Sequence, residues 1–565
     1  KNKCSNFPVQ SLISFNSMRK TNASVSRLFS IRNQYGKETS AEKLQLLNSI
    51  SIQEIKSKST AKTFYTSLLF LQAYPDNKTV YKQTARLLLR LNAHIQNNES
   101  LQYNLYNSGI TGTTICAAFG FEMVKWLRIT RPAEISFNSF EADDDHIQAF
   151  LSVVMPKAES EIFQDGNADW KNWLKKMRQP GEDILDQLIN IFDSSNIRPE
   201  VKDEIWNTIG INVEIRLATT CCLQPSLIKT FYHRSLLRKE IKEAPLKPVA
   251  IKLSNEAAEQ IIDCSRIILI RHLREIDPIS FTSARLVSYY HLPRGISIAL
   301  MEMVPERRHP IDSYMGYTVF KNGLPVAYAG SWILFNSGRI GLNVFPDYRG
   351  GETRYIFEKV LALHTKVYNL KRFTVDPYQV GKDNSDGIRS GAFWVYYHAG
   401  FRPIEKKQQM LAEAESAKIK SVEKYRSAPA VLKTLAESRL EWMLQKSAVR
   451  FDATDMSRAY AGIISKKYNG NRQLAEKPAA KKLADMLQIK DYYEDNMNFI
   501  LRNWAVFLLC KEEEIKLSNN LKQILKNLFR LKASGSEMEY IKALQKAGAL
   551  QNIVTELIKN FATEP

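Results

Sequence analysis

The stretch from Arg339 to Val375 changes its hydrophobic period twice, which constrains the fold more than any other part of the chain. Its first apolar residues alternate with polar or small ones, as in a β-strand: Ile340, Leu342 and Val344. Pro346 ends this strand because it has no N–H to donate. After a glycine loop, residues 352–368 repeat at helical spacing, with Ile356, Val360, Leu363 and Val367 on one stripe. Residues 372–375 begin a new strand, so the unit is strand, loop, helix, strand.

The loop of this unit predicts an anion site. Arg349, Gly350 and Gly351 precede the helix, and the first N–H groups of a helix have no partner within it. They point outward, and the helix dipole adds to their attraction for a negative group. Further along, Arg389 follows a turn-rich loop at 376–391 and favours a second anion or carboxylate contact. The alternative to a ligand-binding role is that this loop is a tight, capped connection between the strand and the following helix.

These residues resemble the GNAT (Gcn5-related N-acetyltransferase) superfamily, here within a bacterial-type protein. Members carry a strand, an Arg/Gln-x-x-Gly-x-Gly/Ala loop, a helix and a further strand, and a last helix ends in Tyr-x-x-x-Gly-Phe. In this chain NVFPDYRGG supplies the strand and loop, and Tyr396–Phe401 (YYHAGF) supplies the ending. The sequence departs from the family pattern at Glu352 and Arg354, where the family has small residues.

The resemblance implies that the chain binds acetyl-CoA or another acyl-CoA. The strand backbone would contact the pantetheine arm and the loop would hold the pyrophosphate. Asn384 and Arg389, in the later loop, are further cofactor-binding candidates that come from the residues of this chain and not from the resemblance. The strand and loop positions are Leu342, Asn343, Val344, Arg349, Gly350, Gly351, Glu352 and Thr353. Because a carboxylate repels a pyrophosphate, we expect Glu352 to point away, pairing with Arg354 or capping its own helix.

The resemblance also implies an acid for the departing thiolate, and Tyr396 stands at the family tyrosine's distance from Gly400-Phe401. The alternative for Tyr396 is a core aromatic on an aromatic-rich helix. The base that accepts the amine proton is not identified by any motif. Glu302, in a predicted strand, and Asp376, at the end of another, are the candidates, and each also has a structural alternative.

The predicted fold class is α/β: a GNAT-like mixed, mostly antiparallel sheet with helices on both faces, flanked by helical regions. Residues 1–248 are expected to form a mostly helical N-terminal region, including a helix from Ile115 to Leu127. The acyltransferase-like domain follows at 249–405, where Asn322-Gly323 predicts a hairpin turn. Residues 406–565 are expected to form an all-helical C-terminal domain.

The composition limits the cellular compartment and the classes of partner that the sequence predicts. The chain has 565 residues, a net charge of +20 and 6 cysteines that form no CxxC pair. Scattered cysteines argue against a disulfide framework or a metal site and favour the cytoplasm. The chain contains no stretch of about 20 apolar residues, so the sequence predicts no membrane span. An acidic partner stays open on charge grounds, whereas nucleic-acid binding is disfavoured because no recognition motif is visible.

The sequence therefore predicts an N-acyltransferase that moves an acyl group from acyl-CoA to a small-molecule or protein amine. Two alternatives stay open. One is a GNAT-like scaffold that has lost transfer and serves as an interaction protein, which Glu352 favours. The other is a basic nucleic-acid-associated protein, suggested by the charge alone.

Overall fold

The computed structural model describes residues 7–164, 169–218, 220–237, 246–446, 448–510 and 518–561. Helix accounts for 59% of the chain and strand for 13%, so the predicted α/β class is confirmed. The first helices are α1 (Phe7–Ile31), α2 (Lys37–Ser49), α3 (Lys58–Ala73), α4 (Lys78–Gln96) and α5 (Glu99–Asn104). Among the described residues, no helix is both long and apolar enough to cross a bilayer.

A small α+β unit follows, and its strands were not predicted from the sequence. The order is β1 (Thr114–Ala118), α6 (Phe121–Thr130), β2 (Ile135–Phe140), α7 (Asp144–Val154), α8 (Lys157–Gln164), α9 (Trp170–Lys176), α10 (Ile184–Ser194), α11 (Pro199–Ile209) and β3 (Ile211–Arg216). The strands form an antiparallel sheet in the order β1–β3–β2. The helix predicted from Ile115 is wrong at its start, because a five-residue strand gives too short an alternation to be recognised before its partner is known.

The large sheet occupies the middle of the chain. Its elements are β4 (Ala250–Ile251), α12 (Asn255–Arg271), α13 (Asp277–Ser280), β5 (Val287–Leu292), β6 (Ile296–Met301), β7 (Ser313–Lys321), β8 (Leu324–Leu334), β9 (Ser337–Ile340), β10 (Asn343–Val344), α14 (Thr353–Val367), β11 (Arg372–Val375), α15 (Pro377–Val380), α16 (Ser385–Ser390), α17 (Ala392–His398) and β12 (Arg402–Pro403). The predicted turn at Asn322-Gly323 joins β7 to β8, with φ of 48° and 85°.

The C-terminal region contains α18 (Lys406–Ser421), α19 (Pro429–Leu435), β13 (Leu440–Met443), α20 (Ala453–Tyr468), α21 (Arg472–Leu487), α22 (Asp495–Leu509), α23 (Asn519–Ser534), α24 (Glu537–Lys546) and α25 (Gly548–Phe561). The prediction of an all-helical region after residue 405 is wrong at β13. This strand lies between β11 and β12, antiparallel to both. The large sheet therefore continues past the predicted boundary.

The large sheet is mixed and mostly antiparallel, with the order β12–β13–β11–β9–β8–β7–β6–β5–β4, and β9 pairs with β11 in parallel. Helices cover both faces. On one face His364 of α14 contacts Ser331 of β8 (3.2 Å). On the other, Pro278 of α13 lies so close to Gly316 of β7 that a Cβ there would approach it to 2.8 Å.

The described residues form three hydrophobic cores, which divide the chain differently from the predicted domains. The first joins helices α1–α5 to the large sheet, so the N-terminal helices belong with the sheet. The second lies inside the small α+β unit, around Phe121, Phe192 and Trp206. The third lies among the C-terminal helices, around Trp504 and Phe529. The region 1–248 therefore contributes to two separate cores.

Candidate active site

The large sheet has a gap at the junction between β9 and β10. Both segments pair with β8 in one register, because Ile340 lies opposite Ser331 and Asn343 lies opposite Tyr328. They form one strand interrupted at 341–342. The neighbour on the other side, β11, runs parallel to β9, stops at Val375 and does not pair with β10. The strands part here, and the backbone groups along the gap need other partners.

Two tyrosines bind the interrupted backbone. The N–H of Leu342 donates to the hydroxyl of Tyr396 on α17 at 3.1 Å, and Tyr317 donates to the carbonyl of Gly341. The Tyr396 ring packs edge-on against Phe357 of α14, with centroids 5.0 Å apart. Burial raises the pKa of Tyr396 above its ordinary value, so its hydroxyl keeps its proton at neutral pH.

A cleft of about 800 Å³ extends from this gap. Its walls contain nine of the positions predicted from the sequence: Leu342, Asn343, Val344, Arg349, Gly350, Thr353, Asn384, Arg389 and Tyr396. The structure therefore brings the predicted strand, loop and tyrosine to one site. The size lies within the range of about 300–1,000 Å³ typical of small-molecule sites.

The glycine loop forms one end of the cleft. No side chain caps the start of α14 at Glu352, and Gly350 adopts a φ of 87°, which favours glycine. Arg349 makes two hydrogen bonds to Asp386 (3.1 and 2.6 Å), and the guanidinium lowers the pKa of Asp386. Arg389 lies 3.7 Å from the same carboxylate, and its side chain is 73% exposed. An anion entering here would meet two arginines and one competing carboxylate.

Glu352 points away from the cleft, as predicted, but not toward the predicted partners. Its side chain is fully buried and accepts hydrogen bonds from Arg294 (2.6 Å) and Lys321 (2.7 Å). It does not cap α14, and Arg354 pairs with Glu358 instead. Burial lowers the pKa of Lys321 to about 8, although the Glu352 charge opposes this. The carboxylate is thus neutralised beneath the loop and does not face the cleft.

Gly351 also faces away from the cleft. A Cβ at this position would come within 2.6 Å of the Tyr74 ring at the end of α3. The glycine permits close packing of the loop on the N-terminal helices, a role that the loop motif alone does not reveal.

The two predicted base candidates do not line the cleft. Glu302 accepts hydrogen bonds from the backbone N–H groups of Glu537 (2.8 Å) and Met538 (3.3 Å), at the start of α24. It therefore joins the large sheet to the C-terminal helices. Asp376 lies between Arg339 (3.4 Å) and Arg439 (3.8 Å). Both carboxylates have structural partners, which are distant in sequence and were not predictable from the local pattern.

The cleft contains titratable groups that the sequence analysis missed. His272, at the end of α12, stacks on Phe345 with centroids 4.6 Å apart. Its Nε2 is buried without a hydrogen-bond partner and lies 3.7 Å from Asp347. Burial lowers the pKa of His272 to about 4. Glu275 accepts from the N–H of Gly120 (2.8 Å), and burial raises its pKa.

His272 and Glu275 come from the turn after α12, far from the glycine loop in sequence. No motif marks this turn, and only the packing of α12 against the sheet brings it to the cleft. Comparisons with known protein families, curated proteins and solved structures find no match to this chain. The function therefore has to be inferred from the cleft itself.

Proposed function

We propose that this chain is a GNAT-type N-acyltransferase that moves an acyl group from acyl-CoA to an amine. The observation that carries the proposal is the cleft between the parted strands. It combines interrupted strand backbone, a buried protonated tyrosine and a helix start without a side-chain cap. The strand backbone, the tyrosine and the helix start are features that the resemblance implies, and they lie together although they are spread over residues 342–396.

The cleft residues fit a diphosphate-bearing donor. Thr353, at the first turn of α14, lines the cleft as Gly350 does, and the helix dipole there favours negative charge. Arg349 and Arg389 add positive charge at the same end. The strand segment Leu342–Val344 would hold the extended arm through its backbone. The thioester of the donor supplies the activated acyl group.

The chain's own groups would handle the protons. Tyr396, whose hydroxyl is protonated at neutral pH, would donate a proton to the sulfur that leaves. Glu275 would receive the proton of the acceptor amine, because its raised pKa makes that carboxylate a better base than an exposed one. His272 is neutral at pH 7, and its lowered pKa makes it the weaker base of the two. The products are an amide and a free thiol.

The alternative of an interaction scaffold without transfer loses its main support. It depended on a carboxylate repelling the pyrophosphate, whereas the Glu352 side chain is buried with Arg294 and Lys321. The nucleic-acid alternative still rests only on the net charge of +20, and no groove or motif in the described residues favours it over the transferase.

The proposal is tested first by binding and then by turnover. Coenzyme A should bind saturably in isothermal titration and should raise the melting temperature by mass action. Acetyl-CoA with a panel of primary amines should then release free thiol, detected with a thiol reagent, in proportion to amide formed. A protein that neither binds coenzyme A nor releases thiol would refute the proposal, and binding without release would restore the scaffold alternative.

A further inference from the structure

A second cavity lies away from the cleft, where the C-terminal helices meet the small α+β unit. Its volume is about 450 Å³. Helices α20, α21 and α22 form most of its wall, and Arg198, at the start of α11, closes one side. Within the described part of the chain, it shares no lining residue with the cleft. A ligand here would bind independently of the acyltransferase site.

The side chains that line this cavity carry more positive than negative charge. Arg198, Arg472 and Arg502 line it, and Glu476 is the acidic group among the described lining residues. Glu476 is held by Arg472 (3.5 Å) and by the hydroxyl of Tyr460 (3.0 Å). Three positive charges and one negative charge leave a formal charge of +2. A dianion would neutralise it.

Arg502 gives the clearest sign of a missing partner. Its Nε is buried without a hydrogen-bond partner in the described structure. Arg266, which is also buried, donates instead to the carbonyls of Ile279 (3.1 Å) and Ser280 (2.8 Å). Buried polar groups in proteins nearly always have a partner, and a guanidinium suits the oxygens of phosphate or carboxylate. An anion in the cavity would supply the acceptor that Arg502 lacks.

The rest of the wall is apolar and partly aromatic. Phe499 of α22 is 46% exposed, whereas Phe507 on the same helix is 1% exposed, and both line the cavity. Ile311 and Met456 complete this side. A ligand with a ring would cover Phe499 while its charged end reaches the arginines.

We propose that this cavity binds a small phosphate monoester that carries an aromatic ring. A phosphate monoester has a charge near −2 at pH 7.5, which matches the charge of the wall. Its oxygens suit the arginines, and its ring suits the side of Phe499. The bound molecule would also connect Arg198 of the small α+β unit to the C-terminal helices.

The test uses phenyl phosphate as the probe, in isothermal titration with the full chain. Glycerol 2-phosphate has a similar charge without a ring and should bind more weakly. Arg502→Gln should weaken phenyl phosphate binding at least tenfold. Phe499→Ala should weaken phenyl phosphate while leaving the affinity for glycerol 2-phosphate unchanged.

Arg458→Gln is the matched control. Arg458 lies on α20, is 53% exposed, lies 3.8 Å from Asp455 and does not line the cavity. This variant should bind phenyl phosphate as the wild type does, and circular dichroism should show that all variants are folded. The proposal is overturned if the wild type does not bind phenyl phosphate, if both phosphates bind equally well, or if Arg502→Gln and Arg458→Gln weaken binding equally.

Discussion

The backbone N–H of Leu342 donates a hydrogen bond to the hydroxyl of Tyr396 at 3.1 Å, across the gap between the parted strands. A helix side chain thereby supplies the partner that a neighbouring strand would otherwise give. Tyr396 also lines the cleft. This contact connects the interruption of the strand to the group proposed to protonate the leaving thiolate, and it leads to the first prediction.

Tyr396→Phe should slow acyl transfer by about 10²–10⁴-fold, the usual contribution of a general acid. Affinity for coenzyme A should change little, because the ring is kept. The Leu342 N–H loses its acceptor, so we expect a stability loss of about 1–3 kcal/mol. Turnover and urea unfolding measure the two effects. Tyr397→Phe, on the same helix, is the control, and a wild-type rate for Tyr396→Phe would remove the tyrosine from the mechanism.

Thr353→Glu should abolish binding of coenzyme A while leaving the fold intact. A carboxylate in the first turn of α14 interacts favourably with the helix dipole, by about 0.3–1 kcal/mol. The same charge lies in the cleft wall and would repel the diphosphate. Thr353→Gln has nearly the same shape without the charge and should retain binding in isothermal titration. Equal affinity of the two variants would show that the diphosphate does not lie at this helix start.

Asp386→Asn should tighten binding of coenzyme A by releasing Arg349. The two side chains are 44% and 47% exposed, so losing their pair should cost only about 0–1 kcal/mol of stability. Arg349→Gln should weaken binding, and titration of both variants at the same ionic strength compares them. If both variants bind as the wild type does, Arg349 does not contact the donor.

Glu352→Gln should destabilise the protein by about 3–5 kcal/mol, since it leaves the buried Lys321 and the partly exposed Arg294 without a counter-charge. Glu358→Gln breaks the Arg354 pair, in which both side chains are partly exposed, and it should cost far less. Urea unfolding of both variants measures the difference, and comparable losses would contradict the buried network.

Stability should fall as the pH drops from about 7 toward 4. Burial lowers the pKa of His364 to about 4, so the unfolded imidazole, near 6.5, binds the proton first. Protonation therefore favours the unfolded chain, and His364 alone should cost about 2 kcal/mol between pH 7.5 and pH 5. Carboxyls with raised pKa act in the opposite direction, so the wild type must be compared with His364→Gln. An unchanged pH slope in the variant would contradict the prediction.

The sequence by itself determined the local elements around the cleft. The two strand segments within 339–345, the helix predicted at 352–368 and the turn at Asn322-Gly323 follow from periodicity and from glycine and proline chemistry, which act over a few residues. For the same reason, most of the site residues that were predicted from the sequence do line the cleft, including Arg349 and Tyr396. The break between the two strand segments at 341–342 does not follow from periodicity or from this local chemistry.

Only the tertiary structure decided the contacts between distant segments. It brought His272 and Glu275 to the cleft and placed β13 inside the large sheet. It also gave Glu352 its partners Arg294 and Lys321, which lie 58 and 31 residues away. A local pattern shows that a side chain is polar or that a strand alternates. It does not show which distant group will neutralise that charge or pair with that strand, because this depends on how the whole sheet is assembled.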